Sequence, residues 1–165
     1  MAASSKVTTE KFNKENKRHL RAVKYIEEHL RPIDKKELQG AYTSVTKCAT
    51  HEFCDNFLVF GENGKPIAIY GIVKYPIDGL HAVWMVGTTE IKKYKKELIT
   101  IGFKEIGRFI KEYGPITNYI SIDNNKSRRW LLRAGAVFGT PFKENGITWQ
   151  QFVIRRNEQC VECGA

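Results

Sequence analysis

Four cysteines and a dense run of lysines are the first residues in this 165-residue chain whose types suggest chemistry. Cys48 and Cys54, with His51 between them, and Cys160 and Cys163, a C-x-x-C near the chain's end, are donor types that hold zinc. The C-x5-C spacing of the first pair suits a zinc knuckle poorly. A redox C-x-x-C opens a helix after a strand, whereas this one lies in a polar tail after the last strand signal. The thiols therefore read as bystanders. Lys92, Lys93, Lys95 and Lys96 crowd the first turns of a long helical pattern. Cations there oppose the helix dipole. They serve either solubility or the binding of an anion at the positive end of the helix, and the sequence does not choose between the two.

The charge balance points the same way. Lys plus Arg number 27 against 18 Asp plus Glu, a net +9. That surplus favours nucleic acid, a phosphorylated cofactor, an acidic protein or an anionic membrane. The basic run Lys14, Lys17, Arg18, Arg21 and Lys24 is most simply a solvated helix face. No DNA- or RNA-binding motif accompanies it, so nucleic acid is the weaker partner reading.

These residues need a scaffold to position them. A chain with 42% hydrophobic and 27% charged residues is neither disordered throughout nor short of core. No apolar run approaches the roughly 20 residues of a membrane span. Residues 1–6 lack the apolar stretch of a secretory signal, which makes the cytosol the expected compartment.

Residues 1–11 read as a loose segment, with a strand allowed near 6–8. Residues 12–155 read as one domain and 156–165 as a polar tail. Helical spacing covers 13–30 until Pro32 breaks it. Asp34 and Glu37 look like a capping pair opening a second helix through Val45. Strands are expected at 57–60, 67–73 and 82–86, the first two joined by an Asn63-Gly64 turn. A helix follows over 90–113, with its apolar faces toward a sheet. A strand at 119–122, a helix over 126–134 capped by Asp123, Asn124 or Asn125 and ended by Gly135, and strands at 137–142 and 148–154 complete the chain. Asn145-Gly146 turns between the last two. Trp84 and Trp149 read as core. Strand–helix–strand around the long helix requires a parallel pair, and the hairpins require antiparallel neighbours. The expected class is α/β: a mixed, mostly antiparallel sheet with a central parallel pair and helices on both faces.

That order, together with Asn124-Asn125-Lys126-Ser127-Arg128-Arg129-Trp130-Leu131-Leu132-Arg133-Ala134-Gly135-Ala136, resembles the GNAT acyltransferases, which move acyl groups from coenzyme A to amines. Asn124, Ser127 and Gly135 match the family's strand-to-helix segment, and Ala136 stands where an aromatic is usual. A narrower resemblance rests on Val83-Trp84-Met85-Val86-Gly87-Thr88-Thr89, Asn118-Tyr119 and Leu30-Arg31-Pro32-Ile33-Asp34-Lys35-Lys36-Glu37. It is to a phage family of GNAT-like proteins that includes the internal virion or morphogenesis protein of autographivirus-type podoviruses. This resemblance implies a phage or prophage origin, a place in the host cytoplasm or the virion, and a virion or host protein as partner.

The resemblance also implies a site. Acetyl-CoA would lie between the strand 82–86 and its parallel neighbour, against Val86, Thr88, Thr89 and Lys95 and against Asn124, Ser127 and Leu131. Its pyrophosphate would need a Q/R-x-x-G-x-G/A loop, because only glycines let backbone amides approach so closely. Here no glycine occurs between Gly87 and Gly102. Leu131 stands where many active members carry a tyrosine that protonates the leaving thiolate. A base must also take the proton of the substrate ammonium, and His81, Glu90 and Asp123 fall in the right chain regions. Two readings are open: an acetyl-CoA-dependent N-acetyltransferase, or a non-catalytic virion or morphogenesis protein that keeps the fold. The missing phosphate loop and the leucine weigh against the first.

Overall fold

The computed structural model describes residues 6–156. Its elements are β1 (Thr8–Lys11), α1 (Lys17–Glu28), α2 (Pro32–Gly40), α3 (Val45–Thr50), β2 (Cys54–Phe60), β3 (Pro66–Val73), β4 (His81–Gly87), α4 (Lys95–Tyr113), β5 (Ile116–Ser121), α5 (Asn125–Arg133), β6 (Val137–Phe138), β7 (Phe142–Glu144) and β8 (Ile147–Ile154). Short 3-10 helices occur at Glu62–Gly64 and Thr89–Tyr94. Hydrogen-bonded neighbours run β1-β2-β3-β4-β5-β8-β6, with β7 also on β8. β4 and β5 are parallel, while β1 with β2 and β8 with β5, β6 and β7 are antiparallel. This is the mixed, mostly antiparallel α/β class that the order of elements implies. Its contacts divide it into two units, Met1–Gly71 with Trp84–Leu98 and Ile72–Val83 with Ile99–Ala165.

The first unit is held by one apolar cluster. α1 contributes Ala22, Val23 and Ile26, α3 contributes Val45 and Ala49, and the strands contribute Leu58, Phe60, Ile69 and Val86. Fully buried side chains of this size each stabilise by about 1.5–3 kcal/mol. Asn16 starts α1 by accepting from the amides of Arg18 and His19, which fixes the angle at which that apolar stripe meets the strands.

Three expectations change in this unit. Residues 8–11 are not loose: they form β1, with Thr8 opposite Phe60 and Lys11 opposite Phe57. Paired threonines, behind a buried Val7, suit a strand. Pro32 opens α2 rather than only ending α1, since a proline at the first helical position loses no needed amide. The expected helix through Val45 is two helices. The chain turns at Tyr42, whose φ is 53°, and Ser44 caps α3 by accepting from the Lys47 amide at 3.2 Å.

Asn56 ties α3 to the strands. It is 3% exposed. Its amide donates to the carbonyls of Cys48 and Ala49 at 3.0 and 2.9 Å. Its Oδ1 accepts from the indole of Trp84 at 3.0 Å. The half-buried Trp84 is thus a packing residue, as its position on a strand suggests.

In the second unit β5 lies between the start of β4 and β8. The β7–β8 hairpin turns on Asn145 (φ 53°) and Gly146 (φ 74°), the two positive values that such a turn requires. The strand expected over 137–142 is broken into β6 and β7, because Pro141 has no amide to donate to a ladder. Trp149 is buried and donates its indole N–H to the Glu144 carbonyl at 3.2 Å, which makes it core. Cys160 and Cys163 lie outside the described residues. Cys48 and Cys54 are half-buried, and burial pushes the Cys48 thiol above its ordinary value, away from reactivity.

Asn56→Ala removes the partner of two helix-end carbonyls and one indole at once. Leaving buried polar groups unpaired costs about 1–3 kcal/mol each. The variant is expected to lose about 3 kcal/mol in urea denaturation, and a loss below about 1 kcal/mol would contradict this role.

Candidate functional site

In the first unit the expected site residues follow one another at the exit of β4. Val86 is buried and Gly87 ends the strand. Here α2 supplies Asp34, a residue whose spacing suggests a helix cap and whose place is different. Asp34 is 1% exposed. Its carboxylate accepts from Arg31 Nε at 2.8 Å and Nη2 at 3.0 Å, and from the Gly87 amide at 2.9 Å. The Arg31 amide in turn donates to the Gly87 carbonyl at 2.9 Å. One carboxylate therefore holds both its own helix start and the end of β4. The signal in the sequence is an arginine three residues before the aspartate, at the edge of a proline-opened helix.

Gly87 has no room for a side chain. A Cβ there would stand 2.0 Å from Ile91 Cδ1 and 2.9 Å from the Ile67 carbonyl. Thr88, buried, donates its amide to Ile67 at 3.0 Å and caps the following turn by accepting from the Glu90 amide at 3.2 Å. The Ile91 amide donates to the Thr88 carbonyl at 3.2 Å. The chain then winds as the 3-10 helix Thr89–Tyr94 directly into α4 at Lys95.

This segment stands where a phosphate-binding loop would have to present free amides. Inside a helix the amides after the first turn are consumed by preceding carbonyls, and the first ones here go to Thr88. Tyr94 pins the turn in place. It is buried, its hydroxyl accepts from the Glu62 amide at 3.1 Å, and its ring packs where a side chain on Gly61 would go. The residues present do not fit the pyrophosphate of acetyl-CoA through the backbone. The cations of this segment are the side chains of Lys92, Lys93, Lys95 and Lys96, all exposed.

Glu90 is already engaged. Its carboxylate meets Lys93 Nζ at 3.0 Å and Lys65 Nζ at 3.3 Å. Hydrogen bonds from Lys93 first and Lys65 second hold its pKa below the ordinary glutamate value. A base works best with a pKa near the operating pH, and this shift runs the other way. Thr89 is exposed beside it.

In the second unit His81 opens β4, buried, with its ring 5.3 Å from that of Tyr113. Its Nδ1 lies 2.9 Å from the Val73 carbonyl, which can only accept, so Nδ1 carries the proton. The parallel register of β4 and β5 consists of His81 opposite Ile116 and Ala82 opposite Thr117. At the next position the side chain of Asn118 donates to the Val83 carbonyl at 2.6 Å and accepts from the Tyr119 amide at 2.7 Å. A side chain thus takes a place that ladder amides would hold, and the ladder stops.

Asp123, Asn124, Ser127 and Leu131 lie at the far end of β5 from His81. At about 3.3 Å per residue, the path from Ile116 to Asp123 is roughly 20 Å, so His81 and Asp123 cannot share one proton. Asp123 is exposed, and its amide donates to Ser121 Oγ at 3.2 Å. Asn124 is buried at the start of α5, and its carbonyl accepts from the Arg128 amide at 3.0 Å. It is the N-cap residue by position, yet its side chain makes no capping bond. Ser127 is half-buried in the first turn. Leu131 is buried, and its carbonyl takes the Ala136 amide at 2.9 Å as the helix ends at Gly135 (φ 96°).

No family profile matches the sequence and no curated protein matches it. Solved structures do. A chimera of the spermidine N-acetyltransferase SpeG from Vibrio cholerae and hSSAT superposes with a TM-score of 0.67 at 15% identity, covering 98% of this chain and 100% of that one. The Vibrio cholerae SpeG with manganese gives 0.63 at 15% identity, covering 98% of each chain. A protein provisionally assigned as a phosphinothricin N-acetyltransferase gives 0.64 at 12%, covering 92% of this chain and 99% of that one. The chain has the fold of the GNAT N-acetyltransferases.

Two measurements test these contacts. Arg31→Met leaves the Asp34 carboxylate buried without its counter-charge, a change that costs about 3–5 kcal/mol. The unfolding midpoint should drop accordingly, and an unchanged midpoint would show the clamp to be dispensable. Carbon-detected NMR titration should find the Glu90 carboxyl protonating below the ordinary value near 4.3, and shifted upward in Lys93→Met. Because the folded value is depressed, the stabilisation from this pair is present above the unfolded pKa. It is lost as pH falls through the folded one.

Proposed function

We propose that this chain is a phage-type GNAT-fold protein that acts by binding, as an internal virion or morphogenesis component, and does not transfer acetyl groups. The observation that carries this reading is the 3-10 helix Thr89–Tyr94, whose Glu90 and Ile91 amides are already given to Thr88 and not to a coenzyme A pyrophosphate. Two further residues support it. Leu131, buried and apolar, cannot protonate a thiolate, and Glu90 is held as a carboxylate by two lysines. The phage setting rests on the resemblance of residues 30–37 and 83–89 to the phage family.

A second reading has its own support. The parallel ladder of β4 and β5 ends after Ala82 and Thr117. Structures named as spermidine N-acetyltransferases match nearly the whole chain. On that reading the exposed lysines would hold phosphate as point charges, and the acceptor would be an amine.

Calorimetry with acetyl-CoA at moderate salt, with desulfo-CoA and ATP as controls, separates the two. The expected result is no saturable binding at millimolar ligand, or weak binding that ATP matches. Micromolar affinity that discriminates against ATP, lost in Asn124→Ala, would overturn the proposal in favour of the acetyltransferase. The assembly role predicts in addition that the protein is found in purified particles by mass spectrometry.

A further inference from the structure

We propose that the outer edge of β6 is a docking strip for an extended acidic segment of a protein partner. β6 ends the order of hydrogen-bonded strands. Val137 stands opposite Val153 and Phe138 opposite Phe152, and the Gly139 amide donates to the Gln151 carbonyl at 2.9 Å. In an antiparallel pair the inward-bonding residues alternate. Gly139 and Val137 therefore face β8, and the N–H and C=O of Phe138 point outward, where an added strand would meet them.

The surroundings suit such a strand. An open groove of about 420 Å³ lies against β6 and the end of β8, lined by Val137, Gly139, Gln151, Val153, Arg155 and Arg156 among others. Gly139 leaves the backbone bare. Val137 is 74% exposed and offers an apolar contact for alternate side chains of the guest. Arg155 and Arg156, both exposed, follow the end of β8. A third cation comes from α5: the Arg128 guanidinium stands 5.3 Å over the Phe138 ring and gives Nη2 to Gln150 Oε1 at 2.7 Å. Its buried Nε has no hydrogen-bond partner among the described residues. A carboxylate also follows on β7, Glu144, beyond Pro141. In a chain of net +9, three arginines around a strand edge favour carboxylates on the guest. This edge uses none of the residues discussed for acetyl-CoA, so its role is independent of whether that cofactor binds.

The test uses the full chain and a synthetic probe, the blocked hexapeptide Glu-Val-Glu-Val-Glu-Val, with its Gln-Val and Lys-Val counterparts as controls. Amide NMR spectra should show the acidic peptide shifting Phe138 and Gly139. It should bind about tenfold or more tightly than the Gln-Val peptide. Arg155→Glu with Arg156→Glu, at exposed positions whose folding the spectrum itself checks, should remove that advantage. Equal binding of all three peptides, shifts elsewhere, or no binding at millimolar peptide would each overturn the proposal. So would concentration-dependent self-association abolished by the charge reversal, which would assign the edge to a second copy. Tighter peptide binding by Glu158→Gln with Glu162→Gln would overturn it in favour of the chain's own end.

Discussion

A carboxylate buried to 1% exposure at the end of a strand is a severe constraint, and the first unit is built around it. Asp34 is tolerable there only because Arg31 supplies a bidentate counter-charge and the Gly87 amide a third hydrogen bond. These bonds set the path of β4 out of the sheet. They require a proline-opened helix that brings Arg31 and Asp34 within one turn, and a glycine at 87 that lets Ile91 and Ile67 close in. With Gly87 fixed, Thr88 is left to cap the 3-10 turn beyond it. The start of the long helix is thereby determined by a residue more than fifty positions earlier.

The outcome is a different use of backbone amides from that of a phosphate-binding loop. Each amide has one proton to give. A glycine-rich loop keeps several unspent and aims them at a ligand. Here the Gly87 amide goes to Asp34, that of Thr88 to Ile67, and those of Glu90 and Ile91 to Thr88. The 3-10 winding to Tyr94 takes the next ones. Fold does not fix function, and the same fold can carry either arrangement.

Much of this is legible in the residues. The two Asn-Gly turns, the parallel pair around the long helix and the Gly135 helix end depend on local conformational preference, which sequence reports directly. So does the absence of glycine after Gly87, which already argues against an amide cradle. The hidden part depends on partners far apart in the chain. Asp34 has the spacing of a capping residue, and only the meeting of α2 with the end of β4 turns it inward. The Asn56 bonds to Cys48, Ala49 and Trp84 likewise join three elements. Tyr94 reads as one member of an apolar stripe, with nothing local to show that its hydroxyl serves Glu62. His81 and Asp123 stand in the sequence as alternative candidates for a base, and it is β5 that places them at opposite ends of one strand.

The charge balance of the chain bears on what chemistry is open to it. In a protein of net +9, several carboxylates among the described residues find a cation. Glu10 meets Arg18, Glu90 meets Lys65 and Lys93, and Glu105 and Glu112 meet Arg108. The hydrogen bond from Arg18 lowers the Glu10 pKa as those from Lys93 and Lys65 lower that of Glu90. A carboxylate serving as a base at neutral pH needs the opposite shift, which comes from burial or from a second anion. The cations left over sit on exposed lysines and arginines, where they attract anions at long range and are weakened by salt. Such charges raise encounter rates and favour acidic surfaces, but they do not align a scissile thioester. In the described residues, then, the charges around Glu90 hold it as an anion, and the amides of Gly87, Thr88, Glu90 and Ile91 are already engaged within the chain.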